Sequence, residues 1–328
     1  MKSPFTGKEM TLVKEWREMS YRKESYKVYF HFYQCEDTGE QFESEELSQL
    51  NYNQVINQYR VRHHIPFPEE IRKIREKYGL SAAKMSAVMG MGPNSWRNYE
   101  ADEVPSKVHA NLIQLISDPL YFKDYIEKYS EVEEADREKI FKQLQKLDIQ
   151  GCSCYDPLMR FNSRPDITTG FKAFDKEKTK SIIQFFAQQI QPYKTKLNKL
   201  LFYTDFVHFR KYSQGITGLK YTAIQFGPVP DKYDVLFGLM AEMDYFDIEY
   251  EMSNYGEVEQ ILPNPDNEFN AMQLTASELE AMEIVLNRFR NTTSSEIADI
   301  SHKEKAWKDN IDGKKIIPFN YAFDLVTV

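Results

Sequence analysis

Four positions near the start of the chain have the spacing of a metal clasp. Ser3-Pro-Phe-Thr6-Gly7 and Cys35-Glu-Asp-Thr38-Gly39 each set two side chains three residues apart and follow them with glycine. In a zinc knuckle two thiolates so placed grip one ion and the glycine relieves the turn. Only Cys35 is a thiol here; Ser3, Thr6 and Thr38 offer hydroxyls, which are weak ligands at neutral pH. The expectation is a metal-free ribbon held by its aromatic core. Cys152-Ser-Cys154 is too tightly spaced for the usual two-thiolate clasp and has no partner pair, so it reads as two connector thiols.

A second group has the chemistry of nucleic-acid contact. Asn94, Ser95, Arg97 and Asn98 share the solvent side of a short helical stretch whose other side carries Trp96 and Tyr99. Asparagine pairs with adenine edges, and arginine with guanine or phosphate. Ser81 is placed to cap the preceding helix, and its amide end together with Lys84 could hold a phosphate.

A third group, Asp205, His208 and His302, tempts a catalytic reading. No nucleophile elbow, glycine-rich phosphate loop or metal-binding histidine pair accompanies them. His302 reads as a helix-end cap and Trp307 as a core anchor, so the expectation is no catalytic residue and no cofactor.

The elements that position these groups follow from periodicity. Residues 26–33 (YKVYFHFY) alternate as a strand. From Pro68, Ile71, Ile74, Arg75 and Tyr78 share one helical face, and Gly79 ends the helix. Ser81 caps a second helix over 82–89, Gly90-Met91-Gly92 makes a tight turn, and Pro93 opens a third helix to Glu100. Helix, short turn and polar-faced helix is the helix-turn-helix layout. Residues 176–213 read as amphipathic helix broken at Pro192. A strand-like stretch at 221–226 precedes Gly227-Pro228-Val229-Pro230, expected to open another helix as a rigid apolar ridge. Phe246–Ser253 and Glu257–Leu262 read as a hairpin, and Thr275 with Glu278 as a capping box.

The fold class expected is mainly α with small β elements (α+β). Four segments follow: a ribbon-like unit over 1–64, a helix-turn-helix unit with a helical extension over 65–150, a connector over 151–165, and a helical unit with a hairpin over 166–328.

Composition narrows the function. The chain has 328 residues, 41% hydrophobic and 14% aromatic, which supports more than one core. No apolar run reaches the length of a membrane span, the first ten residues lack a secretory apolar stretch, and three cysteines argue against a disulfide framework. A cytoplasmic protein is expected. The net charge of −8 opposes a general nucleic-acid coat, yet it divides as −3 over residues 1–59, +3 over 60–107 and −8 over 108–328. One basic island remains for a local DNA contact.

Residues 1–125 resemble the MqsA family of antitoxin repressors through SPFTG, YQCEDTGE and GMGPNSWRNYE. The resemblance implies a zinc ribbon ahead of a Cro-type helix-turn-helix, base reading at the positions of Asn94 and Asn98, and a homodimer on a palindromic operator. Asn98 replaces the family's basic reader and Arg97 sits one place earlier. Across residues 195–315, KLNKLLFYTDFVHFRKY, GITGLKY, FGPVPDKY and SHKEKAW resemble the Panacea domain of SocA-like antitoxins. That implies a module that neutralises a cognate protein toxin by direct contact, with Tyr203, Phe226, Pro228, Val229 and Trp307 as candidate anchors. The expected function is a bacterial antitoxin that also represses its own operon by binding operator DNA. The alternative is a ligand-responsive transcriptional regulator without a toxin.

Overall fold

The computed structural model describes residues 1–129, 132–151, 156–253 and 256–328. Of the hairpin turn expected at Asn254-Tyr255-Gly256, the first two residues lie outside the described residues, as do the thiols Cys152 and Cys154. About half of the chain is helical, with small antiparallel sheets, in keeping with an α+β class. Among the described residues no helix is long and apolar enough to cross a membrane.

Two compact units are present. One joins residues 1–55 to 157–328, and the other is the continuous stretch 56–156. Residues 1–55 group with 157–328, where the sequence suggested a unit over 1–64.

The N-terminal sheet consists of β1 (Thr11–Tyr21), β2 (Glu24–Gln34) and the short β3 (Gln41–Phe42). β1 and β2 pair in register from Thr11↔Gln34 to Tyr21↔Glu24. Arg22 and Lys23 make the two-residue turn with φ of 45° and 67°, the left-handed pair that suits the twist of a hairpin. Helix α1 (Glu45–His63) lies along the remaining edge of β2. Asn51 Oδ1 accepts from the His31 amide and its Nδ2 donates to the His31 carbonyl, both at 2.9 Å. Gln54 repeats this with the amide and carbonyl of Tyr29, also at 2.9 Å. Two side-chain amides one helical turn apart thus satisfy backbone groups that would otherwise stay open.

The second unit continues with α2 (Pro68–Lys77), α3 (Ala82–Val88), α4 (Ser95–Glu100), α5 (Lys107–Leu115), α6 (Pro119–Tyr129) and α7 (Glu134–Gly151). Its core gathers Ile71, Met85, Val88, Trp96, Ile113 and Phe122 with their neighbours. Arg60, fully buried, ties the unit's beginning to its middle. It donates to the carbonyl of Pro66 at 2.7 Å and to the carbonyl and carboxylate of Asp102 at 3.1 and 3.2 Å.

The rest of the first unit is built on α8 (Lys176–Ile190) and α9 (Lys194–Tyr212), separated at Pro192. Every residue from Lys196 to Phe209 is buried, so α9 is a helix covered on all sides. The sequence suggested an amphipathic helix, and the burial on all sides departs from that. Around it lie β4 (Tyr221–Ile224), β5 (Gly227–Pro230), α10 (Tyr233–Glu242), the hairpin β6 (Asp247–Ser253) and β7 (Gly256–Leu262), α11 (Ala276–Phe289), α12 (Ser294–Ser301) and α13 (Lys305–Lys308). The Thr275–Glu278 capping box forms as expected. A short helical turn at Phe319–Asp324 closes over α9, and from it Phe323 reaches β1 and β2 through the Lys14 amine (2.8 Å) and the His31 ring (4.8 Å).

Candidate functional site

In the second unit, the sequence builds a polar helix face by securing the other face. Gly79 and Gly90 take left-handed φ of 66° and 64°, which ends α2 and α3 sharply. The Ser81 hydroxyl accepts the Lys84 amide at 3.2 Å and caps α3. Ser86, buried on α3, accepts the Trp96 amide at 3.0 Å and so fixes the start of α4. Trp96 and Tyr99 point inward, and the Tyr99 hydroxyl meets His109 Nδ1 at 2.6 Å. What faces solvent is Asn94, Arg97 and Asn98, with Ser95 half-buried beside them. Helix α4 begins at Ser95 with Asn94 as its cap, so Pro93 stands in the turn before it rather than opening it.

Lys84 departs from expectation. Its amine is paired to Asp136 of α7. This pairing engages the Lys84 amine, while the Ser81 cap forms as expected.

At the N-terminus both knuckle turns form. The Gly7 amide donates to the Ser3 carbonyl at 2.9 Å, the Gly39 amide to the Cys35 carbonyl at 2.8 Å, and both glycines have φ near +70°. Thr6 Oγ1 lies 3.7 Å from Cys35 Sγ. Hydroxyls of Ser3 and Thr38 draw the Cys35 thiol down to about 6. One thiolate ringed by hydroxyls does not fit a structural zinc ion, and among the described residues no group of three His, Cys, Asp or Glu could hold a metal.

In the first unit, the residues that tempted a catalytic reading have structural duties. Asp205, fully buried, accepts from the amides of Ile216 (2.6 Å) and Thr217 (2.9 Å), the Thr217 hydroxyl (2.5 Å) and the Tyr221 hydroxyl (2.6 Å). It is the template of the Gly215–Gly218 loop. His208 Nδ1 meets the Gln214 carbonyl at 2.7 Å, and burial lowers its pKa. The His302 ring stacks on Trp307 at 4.1 Å, and Trp307 Nε1 donates to the Ile224 carbonyl at 2.7 Å.

The expected partner anchors separate into two sets. Tyr203, Pro228 and Val229 are buried. Gly227–Pro230 is a strand against α9 and α12, not the exposed ridge that opens a helix. Prolines are confined to strand positions that give no ladder amide, and here Pro228 and Pro230 face Ala223 and Tyr221 across the pair. These three cannot anchor a partner without opening the core. Phe226 remains, 61% exposed at the tip of the β4–β5 turn, and Trp307 is half-buried.

Residues 197–308 match the family model described as antitoxin SocA-like, Panacea domain. No curated protein and no solved structure matches the chain. The matched stretch begins within α9 and ends at α13, so it takes in the Asp205 loop template, β4–β5, the β6–β7 hairpin and the His302–Trp307 stack.

Sequence reasoning missed Lys199. Its side chain is fully buried on α9 and its Nζ has no hydrogen-bond partner among the described residues. Burial lowers its pKa to about 7. A Cβ at Gly227, whose φ is 100°, would come within 2.7 Å of Lys199 Cε and 2.2 Å of Ser301 Oγ. The glycine in the Gly-Pro-Val-Pro run is the one signal in sequence that something packs that closely.

Proposed function

We propose that this chain is the antitoxin of a bacterial toxin–antitoxin pair, acting in the cytoplasm. Its matched region binds the cognate toxin directly, and α3–α4 bind operator DNA as a homodimer and repress the operon. The observation that carries the reading is the match of residues 197–308 to the SocA-like antitoxin model. The DNA half is supported by the exposed Asn94, Arg97 and Asn98 on a short helix fixed through Trp96 and Ser86, and by the local charge of +3. The paired knuckle turns support the ribbon-like reading of this region. The binding roles of Asp205, His208 and His302 within the fold support a module without catalysis or cofactor.

The test is co-expression with the protein encoded beside this chain's gene. Growth arrest by that protein alone, relieved when this chain is induced, is the expected result. A harmless neighbour, or arrest that persists, defeats the reading.

A further inference from the structure

Between Lys232 and Arg288 the chain carries thirteen carboxylates and not one lysine, arginine or histidine. A few are neutralised from elsewhere: Asp234 and Glu259 by Lys194, Glu278 by Lys178, and Glu280 by Lys211. Among the described residues the other nine, including Asp247, Glu249, Glu251 and Glu257, form no ion pair.

The β6–β7 hairpin concentrates this charge around apolar side chains. Ile248 and Ile261 face each other across the strands, with Ile261 fully buried. Alternation then places Tyr250 and Met252 on the same face, farther out, opposite Glu259 and Glu257. Tyr250 is 61% and Met252 is 82% exposed. The opposite face of β6 carries Asp247, Glu249 and Glu251, with Glu251 accepting the Tyr193 hydroxyl at 2.8 Å. Among the described residues β6 pairs only with β7, so its outer backbone edge is open.

We infer that the outer part of this hairpin is the surface that grips the toxin, and that the toxin presents lysine and arginine side chains around an apolar socket for Tyr250 and Met252. This rests on the antitoxin reading above. Charge selects the occupant. Nucleic-acid phosphates and anionic headgroups are repelled by unpaired carboxylates, and a second copy of this chain would bring like charge against like. A basic protein surface is attracted at long range and then loses water against the aromatic and thioether groups.

The experiment compares the wild type with Glu249→Lys/Glu257→Lys, Tyr250→Ala/Met252→Ala, and a control reversal on the other unit, Glu138→Lys. Each is co-expressed with the neighbouring gene product and titrated against it at low and high salt. Circular dichroism confirms that each variant folds. The charge reversal is expected to weaken binding at least tenfold at low salt and to flatten the salt dependence. Tyr250→Ala/Met252→Ala should weaken binding by a similar factor with the salt dependence retained, and Glu138→Lys should match the wild type. If the wild type protects and the folded hairpin variants bind equally well, the hairpin inference falls while the antitoxin reading stands. If the wild type itself neither protects nor binds, both fall.

Discussion

Arg75 grips both carboxylate oxygens of Glu100, with Nε 2.5 Å from Oε1 and Nη2 2.9 Å from Oε2. Its remaining nitrogen donates to the Leu80 carbonyl at 2.8 Å. One guanidinium therefore joins the end of α2, the turn into α3 and the end of α4. Both side chains are largely buried, so breaking the pair strands a charge. Glu100→Ala is expected to cost about 1–3 kcal/mol, and Arg75→Lys should be nearly as harmful because lysine lacks the fork. Hydrogen exchange across residues 69–100 checks this; unchanged protection would show that the pair is dispensable.

The proposed DNA-binding region holds two kinds of cation. Arg97 is exposed on α4, whereas Lys84 is paired to Asp136. Arg97→Ala and Asn94→Ala should each reduce specific operator affinity by about 1–3 kcal/mol, and Lys84→Ala should change it little. Gel shifts on the upstream region measure all three. A large loss with Lys84→Ala would mean that the amine leaves Asp136 for phosphate.

Lys199 predicts a direction of pH dependence. Folding holds its pKa near 7, against about 10.4 in an unfolded chain. Between those values the unfolded state keeps a proton that the folded state has released, so stability rises with pH, by at most about 1.4 kcal/mol per unit. Below the folded value both states are protonated, and the penalty is constant and at its largest. Lys199→Met should remove this slope and stabilise the protein at neutral pH. Urea melts at about pH 6, 7.5 and 9 test it; parallel pH profiles for wild type and variant would contradict it.

Cys35 gives a slope of the same sign from the opposite cause, because hydrogen bonds favour its charged form. Its folded value of about 6, set first by the Ser3 and Thr38 hydroxyls, lies below that of a free thiol. The resulting stabilisation is present above the free-thiol value and disappears as pH falls through about 6. In a Cys152→Ala/Cys154→Ala background, thiolate absorbance should rise near pH 6, and Ser3→Ala should move that midpoint upward. A midpoint unmoved by Ser3→Ala would assign the shift to other groups.

Much of the local structure is legible in the sequence because it is set by neighbours in the chain. The Ser81 cap, the Thr275–Glu278 box, the break at Pro192 and the alternation of the β6–β7 hairpin all follow from residues a few positions apart. The polar face of α4 is legible for the same reason. What is not legible depends on distant packing. Gly227-Pro228-Val229-Pro230 looks like an exposed punctuation mark until α9 and α12 cover it. Lys84 looks free until the fold brings Asp136 to it across 52 positions. The docking of Lys14 on Phe323 spans 309 positions and leaves no local trace.

Residues 56–156 interrupt the unit formed by 1–55 and 157–328. The interrupting stretch is continuous, so its helices can assemble from local contacts while the chain is being synthesised. The interrupted unit must close a loop of more than a hundred residues before its sheet meets its helical core, and loop closure of that length slows folding. Until then His31 on β2 and Phe323, whose rings lie 4.8 Å apart in the folded unit, lack each other's cover. Newly made chains should therefore depend on chaperones and be open to proteases, so the supply of working protein is governed by how quickly the two separated halves find each other.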